Sequence, residues 1–221
     1  MKLTRTLAYL LAVSVMSIPI AAQAQFGGLG KRILGDKSGV SSADAEGFLN
    51  GAMLSTKNVM ISSALLAQAL DNRAALASRK QQIDAISNAQ DFGELNMHKS
   101  TLQNDLTLIS DREDLSGDLQ AIYEGSNDEQ KKIIAVAIAN LALGIYRNVD
   151  LAQKAPEMVK GIGRNPQLLT RVGEFKTAAS LLGMQGKGLG TIGSALPSIM
   201  TALKIEPLPQ SETTVPLAIE L

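Results

Sequence analysis

Gly188, Gly190 and Gly193 reproduce the G-x-G-x-x-G spacing of a dinucleotide-binding loop, in which glycines let the backbone approach a pyrophosphate at the start of a helix. That chemistry requires a strand before the loop and a βαβ unit around it, and no strand-like alternation leads into this segment. Gly186-Lys187-Gly188 lacks the hydroxyl residue after lysine, and the spacing, that a phosphate loop needs. Close helix packing or a flexible hairpin is the expectation here, with no bound cofactor.

Metal and acid–base chemistry fare no better. His98 is the only histidine, it sits on the Leu95, Leu102, Leu106 stripe, and there is no cysteine, which makes a metal cluster or a histidine-based triad hard to assemble. Glu94 and His98, four apart on a helical stripe with Leu95, Leu102 and Leu106, read as a surface hydrogen bond. Asp111, Glu113, Asp114 and Asp118 gather beside Arg112 without the ligand alternation around a central glycine that a calcium loop shows. Acidic residues at a helix start already favour the macrodipole, so they read as capping and solvation. A hydrolase working with paired carboxylates needs no local motif, and nothing in the sequence recommends one.

One segment supports a sharper expectation. In 177–203, glycine-rich apolar sequence carries a lone lysine and can lie against a bilayer or let two helices approach closely. Leu182, Gly186, Lys187, Leu189, Ile192, Leu196 and Ile199 are the candidate membrane or partner contacts. Lys187 in mid-segment and Pro197 after it argue against a spanning helix, which leaves a packed terminal hairpin as the plain alternative.

The elements that must position these residues read as helices. Apolar residues are mainly Ala, Leu, Ile, Val and Met, and aromatics make up 3% with no Trp, a mixture that suits helix packing better than sheets. Few flat rings also weigh against a carbohydrate site. Ser41 and Ser42 can cap a first long amphipathic helix, on which Leu49, Ala52, Val59, Met60, Leu66, Ala67 and Leu70 share a face. The stripe loses phase after Asp71, which predicts a bend or a second helix ending near Asn88. Ser110-x-x-Glu113 and Ser126-x-x-Glu129 predict helix starts by the capping-box pattern.

The second of these opens the most apolar stretch of the mature chain, 133–146, which is apolar on every side and, at 14 residues, short of a membrane span. It is expected to be a central core helix. Pro156 interrupts the next stretch, Gly161-Ile162-Gly163 ends it, and Asn165-Pro166 start a helix that runs to about Leu182. The expected fold is all-α: an irregular multi-helix bundle around a central apolar helix, with flexible ends.

The domain reading is a signal peptide at 1–24, a glycine-rich arm at 25–40, a single helical domain at 41–205 and a proline-containing extended tail at 206–221. Lys2 and Arg5 precede an apolar run from Leu7 to Ile20, and Ala22-Gln23-Ala24 forms a cleavage site, so cleavage is expected after Ala24. Without Lys2 and Arg5 the mature chain carries 19 basic against 21 acidic residues, which leaves no field for a nucleic-acid backbone.

These readings describe an exported, non-enzymatic helical binding or scaffold protein of the bacterial cell envelope, periplasmic, with another envelope protein or a second copy as partner. The alternative is an apolar-ligand or membrane-surface binder that uses 177–203.

Overall fold

The computed structural model describes residues 40–211 and 214–219, and the signal-peptide and arm readings at 1–39 lie outside them. Among the described residues the protein is all-α: α1 (Ser42–Asn72), α2 (Lys80–Asn88), α3 (Phe92–Met97), α4 (Lys99–Ser110), α5 (Leu115–Glu124), α6 (Asp128–Ile162) and α7 (Val172–Leu203). Two 3-10 segments, Arg73–Arg79 and Pro166–Arg171, join α1 to α2 and α6 to α7.

α1, α6 and α7 are the long helices, of 31, 35 and 32 residues. α6 packs against α1 on one side and α7 on the other, and α4 closes the ring by packing against both α1 and α7. The shorter elements cover its flanks, α5 mainly along α7 and α3 across it. The buried side chains form one cluster that runs from Val40 to Leu203.

Helix ends follow local hydrogen bonding. Ser41 Oγ accepts from the Asp44 N–H at 3.2 Å and starts α1. The loss of phase after Asp71 corresponds to the 3-10 segment, and α2 ends at Asn88 as expected.

Two helix caps sit elsewhere than the capping-box letters predict. Asn127 and Gln130 form the reciprocal box of α6, at 2.8 and 3.2 Å, while Ser126 Oγ donates to the Ile122 carbonyl at 2.7 Å. Asp114 caps α5 through the Gly117 N–H at 2.9 Å, and Ser110 Oγ donates back to the Thr107 carbonyl. In both places the hydroxyl bonds into the preceding helix, so a nearby Asn or Asp takes the cap.

The structure corrects three further expectations. Pro156 does not interrupt its helix, since α6 runs unbroken to Ile162. The helix containing 133–146 is therefore far longer than 14 residues, and length no longer argues against a membrane span. Burial describes its setting better: 61% of its most apolar 18-residue window, of mean hydropathy 1.4, is enclosed by the rest of the molecule.

The largest correction concerns α7, which does not end at Leu182 or turn back as a hairpin. It continues through Gly183, Gly186, Gly188, Gly190, Gly193 and Pro197 to Leu203. Each interior glycine costs about 1 kcal/mol against alanine. Packing outweighs that cost, because Leu181, Leu182, Gln185, Leu189, Ile192, Leu196 and Ile199 recur every three or four residues and are all buried.

Candidate functional site

One of the dinucleotide-like glycines has a packing role. A Cβ on Gly188 would lie 2.9 Å from Leu106 Cδ1 of α4, and one on Gly193 would touch Ile145 of α6, whereas Gly190 faces open space. Bare backbone at Gly188 lets α4 approach α7, which is the close-packing reading of this spacing, whereas a Cβ at Gly193 would make ordinary contact with Ile145.

The remaining sequence candidates are scattered. Glu94 Oε2 accepts from the Gln90 N–H at 2.6 Å rather than from His98, and His98 sits half-buried at the junction of α3 and α4. Asp114 is a helix cap and Asp118 lies 3.6 Å from Arg112, whose guanidinium also donates to the Leu70 carbonyl. Among the described residues no three His, Cys, Asp or Glu side chains converge. In 177–203, Leu182, Leu189, Ile192, Leu196 and Ile199 face the core, while Gly186 and Lys187 lie on the outer face.

The structure gathers a site on the far side of α6 instead. α7 ends in a Schellman-type closure, with the Ile205 N–H on the Met200 carbonyl at 2.9 Å and Lys204 in the left-handed region at φ 56°. This turn throws the tail back across α6. Pro207 and Pro209 keep the chain after it extended. Between α6, the end of α7 and the first tail residues lies a cavity of about 710 Å³. Ala142, Ile145 and Tyr146 form one wall, Gly193, Leu196, Pro197 and Met200 another, and Ile205, Pro207 and Gln210 the third. The interior is mostly aliphatic, with the exposed Lys204 and Glu206 at its rim.

Two polar residues of the apolar helix hold the tail in place. Asn140, 2% exposed, donates from Nδ2 to the Leu217 carbonyl at 2.8 Å and accepts the Leu217 N–H on Oδ1 at 2.8 Å. Its side-chain amide thus reads one residue of backbone completely. Two turns further along, Arg147 is 6% exposed and donates to the Ser211 carbonyl at 3.1 Å and to the Thr214 carbonyl. Ala218 and Ile219 then lie beside Ile133 and Val136 in a second, smaller cleft. The tail therefore runs antiparallel to α6 as a strap, and this correction replaces a flexible end with a docked one for 214–219.

Sequence reasoning missed this site, although a signal was present. Asn140 and Arg147 are seven residues apart in the most apolar helix, so they share a face and both need partners. The period-two alternation of Val215, Leu217 and Ile219 would have misled, since Val215 and Leu217 face solvent and the strap is held by its backbone at Leu217.

Beneath the strap the three long helices share a polar band. Asn148 Nδ2 donates to Gln185 Oε1 at 2.9 Å and to the Leu182 carbonyl at 3.3 Å, and Ser55 Oγ donates to the Gly144 carbonyl at 3.2 Å. These buried bonds fix the register of α6 against α7 and α1, and so hold the cavity walls in place.

No known family model matches this chain, and neither a curated protein nor a solved structure is significantly similar to it.

Proposed function

We propose that this chain is an exported, non-enzymatic helical binding protein of the bacterial cell envelope, and that it holds an apolar small molecule in the cavity between α6, α7 and the tail. The observation that carries the reading is the cavity itself: about 710 Å³, walled by Ile145, Leu196, Met200 and Ile205, with Tyr146, Lys204 and Glu206 at hand to orient a polar end. That volume lies within the range of small-molecule sites, which are concave, mainly apolar and supplied with a few placed polar groups. Aliphatic walls suit holding a ligand more than converting it.

The cavity favours a ligand-binding role over a purely scaffolding one. Membrane contact through 177–203 draws little support, because five of its seven candidate residues are packed inward. Export rests on the basic start, apolar run and A-x-A site at 1–24, and on a cysteine-free composition that is indifferent to an oxidising compartment.

Native mass spectrometry of the protein purified from the envelope of the cell that makes it tests the binding claim. A retained mass that leaves on denaturation, and that is absent from the cavity-filling variant Met200→Trp, is the expected result. Bare wild-type protein would sink the reading. N-terminal sequencing of the same sample should begin Gln25-Phe26-Gly27, and a start at Met1 would remove the export claim.

A further inference from the structure

The three walls of the cavity are not equally firm. Two belong to α6 and α7, which are tied together by the buried hydrogen bond from Asn148 to Gln185, whereas the third is Ile205, Pro207 and Gln210 of the tail. Past Leu203 no described residue is buried, and Val215 and Leu217 are 79% and 43% exposed. The described tail also has no helix or strand of its own beyond Lys204. A segment that encloses so little apolar surface opens locally at far lower cost than the bundle beneath it.

The fastenings of the tail lie beyond the wall that it builds. Lys204, in the left-handed region, turns the chain out of α7, and the wall residues follow directly. Only after them come the Ser211 and Thr214 carbonyls on Arg147, and the Leu217 N–H and carbonyl on Asn140. The wall is strung between a turn and these anchors, so lifting the tail off α6 takes the wall away from the cavity.

A molecule in the cavity changes the balance between docked and lifted tail. Packed against Ile205 and Pro207, it gives the docked tail apolar contact that the tail otherwise lacks, and it loses that contact when the tail lifts. Two events that share a contact are coupled, and the coupling is reciprocal: the factor that docking adds to ligand affinity is the factor that the ligand adds to docking.

We infer that the tail is the occupancy sensor of the cavity. A filled cavity holds the tail down on Asn140 and Arg147, and an empty one lets it lift and uncovers the α6 face beneath, around Ile133 and Val136. This rests on the cavity reading proposed above, since an apolar occupant is what adds the contact.

Nile red, an uncharged dye that brightens in apolar surroundings, serves as the occupant, and exchange of the Leu217 amide in the full-length protein reads the tail. Saturating dye is expected to slow that exchange by at least about fivefold, the lower end of couplings between sites, and to slow the amides of α2 less. The same factor should appear in Asn140→Ala, because dye and anchor act separately on one docking equilibrium.

Brightening should be lost when the cavity is filled by Met200→Trp, or by Ala142→Trp from the α6 side should the first variant not fold. A dye that never brightens with the wild type, or that brightens equally with the filled variants, sinks the cavity reading and the sensor with it. Bright dye that is lost from the filled variants, while Leu217 exchange in the wild type stays where it was, sinks the sensor alone and leaves the cavity reading standing.

Discussion

Asp105 is a buried carboxylate, 4% exposed, whose Oδ1 lies 3.1 Å from the Arg79 guanidinium. Burial lifts its pKa above the ordinary 3.8, and outweighs the attraction of Arg79 and its hydrogen bond, both of which pull it down. The folded protein therefore holds this proton to a higher pH than the unfolded chain does. The stabilising contribution is complete below 3.8 and is lost as pH rises through the folded value. Acidification from neutrality should strengthen the fold at this position, the reverse of a usual salt-bridged aspartate. Asp105→Asn is predicted to remove that slope, and urea midpoints across the range that stay parallel for the two proteins would refute it.

Asn140 offers a second test at the same scale. Asn140→Ala removes both bonds to Leu217. At about 1 kcal/mol per bond, docking of the strap should weaken by about 2 kcal/mol, or roughly 30-fold faster exchange of the Leu217 amide. Unchanged exchange would mean that the side-chain contacts alone hold the tail. Neither Asp105 nor Asn140 announces its role in the sequence, because a partner 26 residues away, or 77, is set by how helices cross and not by local spacing.

At the scale of elements, glycine has opposite meanings within the long helices, and substitution separates them. A Cβ on Gly144 would lie 2.9 Å from Val59 Cγ2, so Gly144→Ala must displace the buried, β-branched Val59 side chain where α1 meets α6. Overpacking of that kind costs about 1–3 kcal/mol. Gly190 meets nothing within 4 Å, and Gly190→Ala should stabilise by about 0.5–1 kcal/mol through helix propensity and a more restricted unfolded chain. Denaturant midpoints that move in the same direction for both would contradict the packing described.

The same contrast separates the legible elements from the illegible one. Helical class, the break after Asp71 and the stop at Gly161-Ile162-Gly163 come from periodicity and local chemistry, and the structure has them. The continuity of α7 was not legible, because local propensity at Gly183 to Gly193 argues for a stop. What keeps that segment helical is contact with Leu106 and Ile145, on two helices distant in sequence.

At the scale of the whole molecule, Phe48 and Phe175 join the beginnings of α1 and α7, with ring centroids 5.9 Å apart in a stacked arrangement and both side chains buried. Phe48→Ala should cost about 3–5 kcal/mol and lower the Tm of the whole cooperative transition. If the bundle behaved as loosely coupled pieces, only part of the helical signal would melt early. Helical class was readable from sequence because α1 carries an amphipathic stripe and the composition is poor in strand formers. The cavity was not, since its three walls come from α6, α7 and a tail whose course depends on the turn at Lys204.

The antiparallel course of the strap has a geometric consequence. Val40 is fixed where α6 ends, its carbonyl bound by Asn165 Nδ2 at 2.9 Å, whereas Ala218 and Ile219 come to rest beside Ile133 near where α6 begins. At 1.5 Å per residue those two places are about 40 Å apart. The described residues thus start at one pole and reach the other, with α6 as the ruler between Val40 and Ile219.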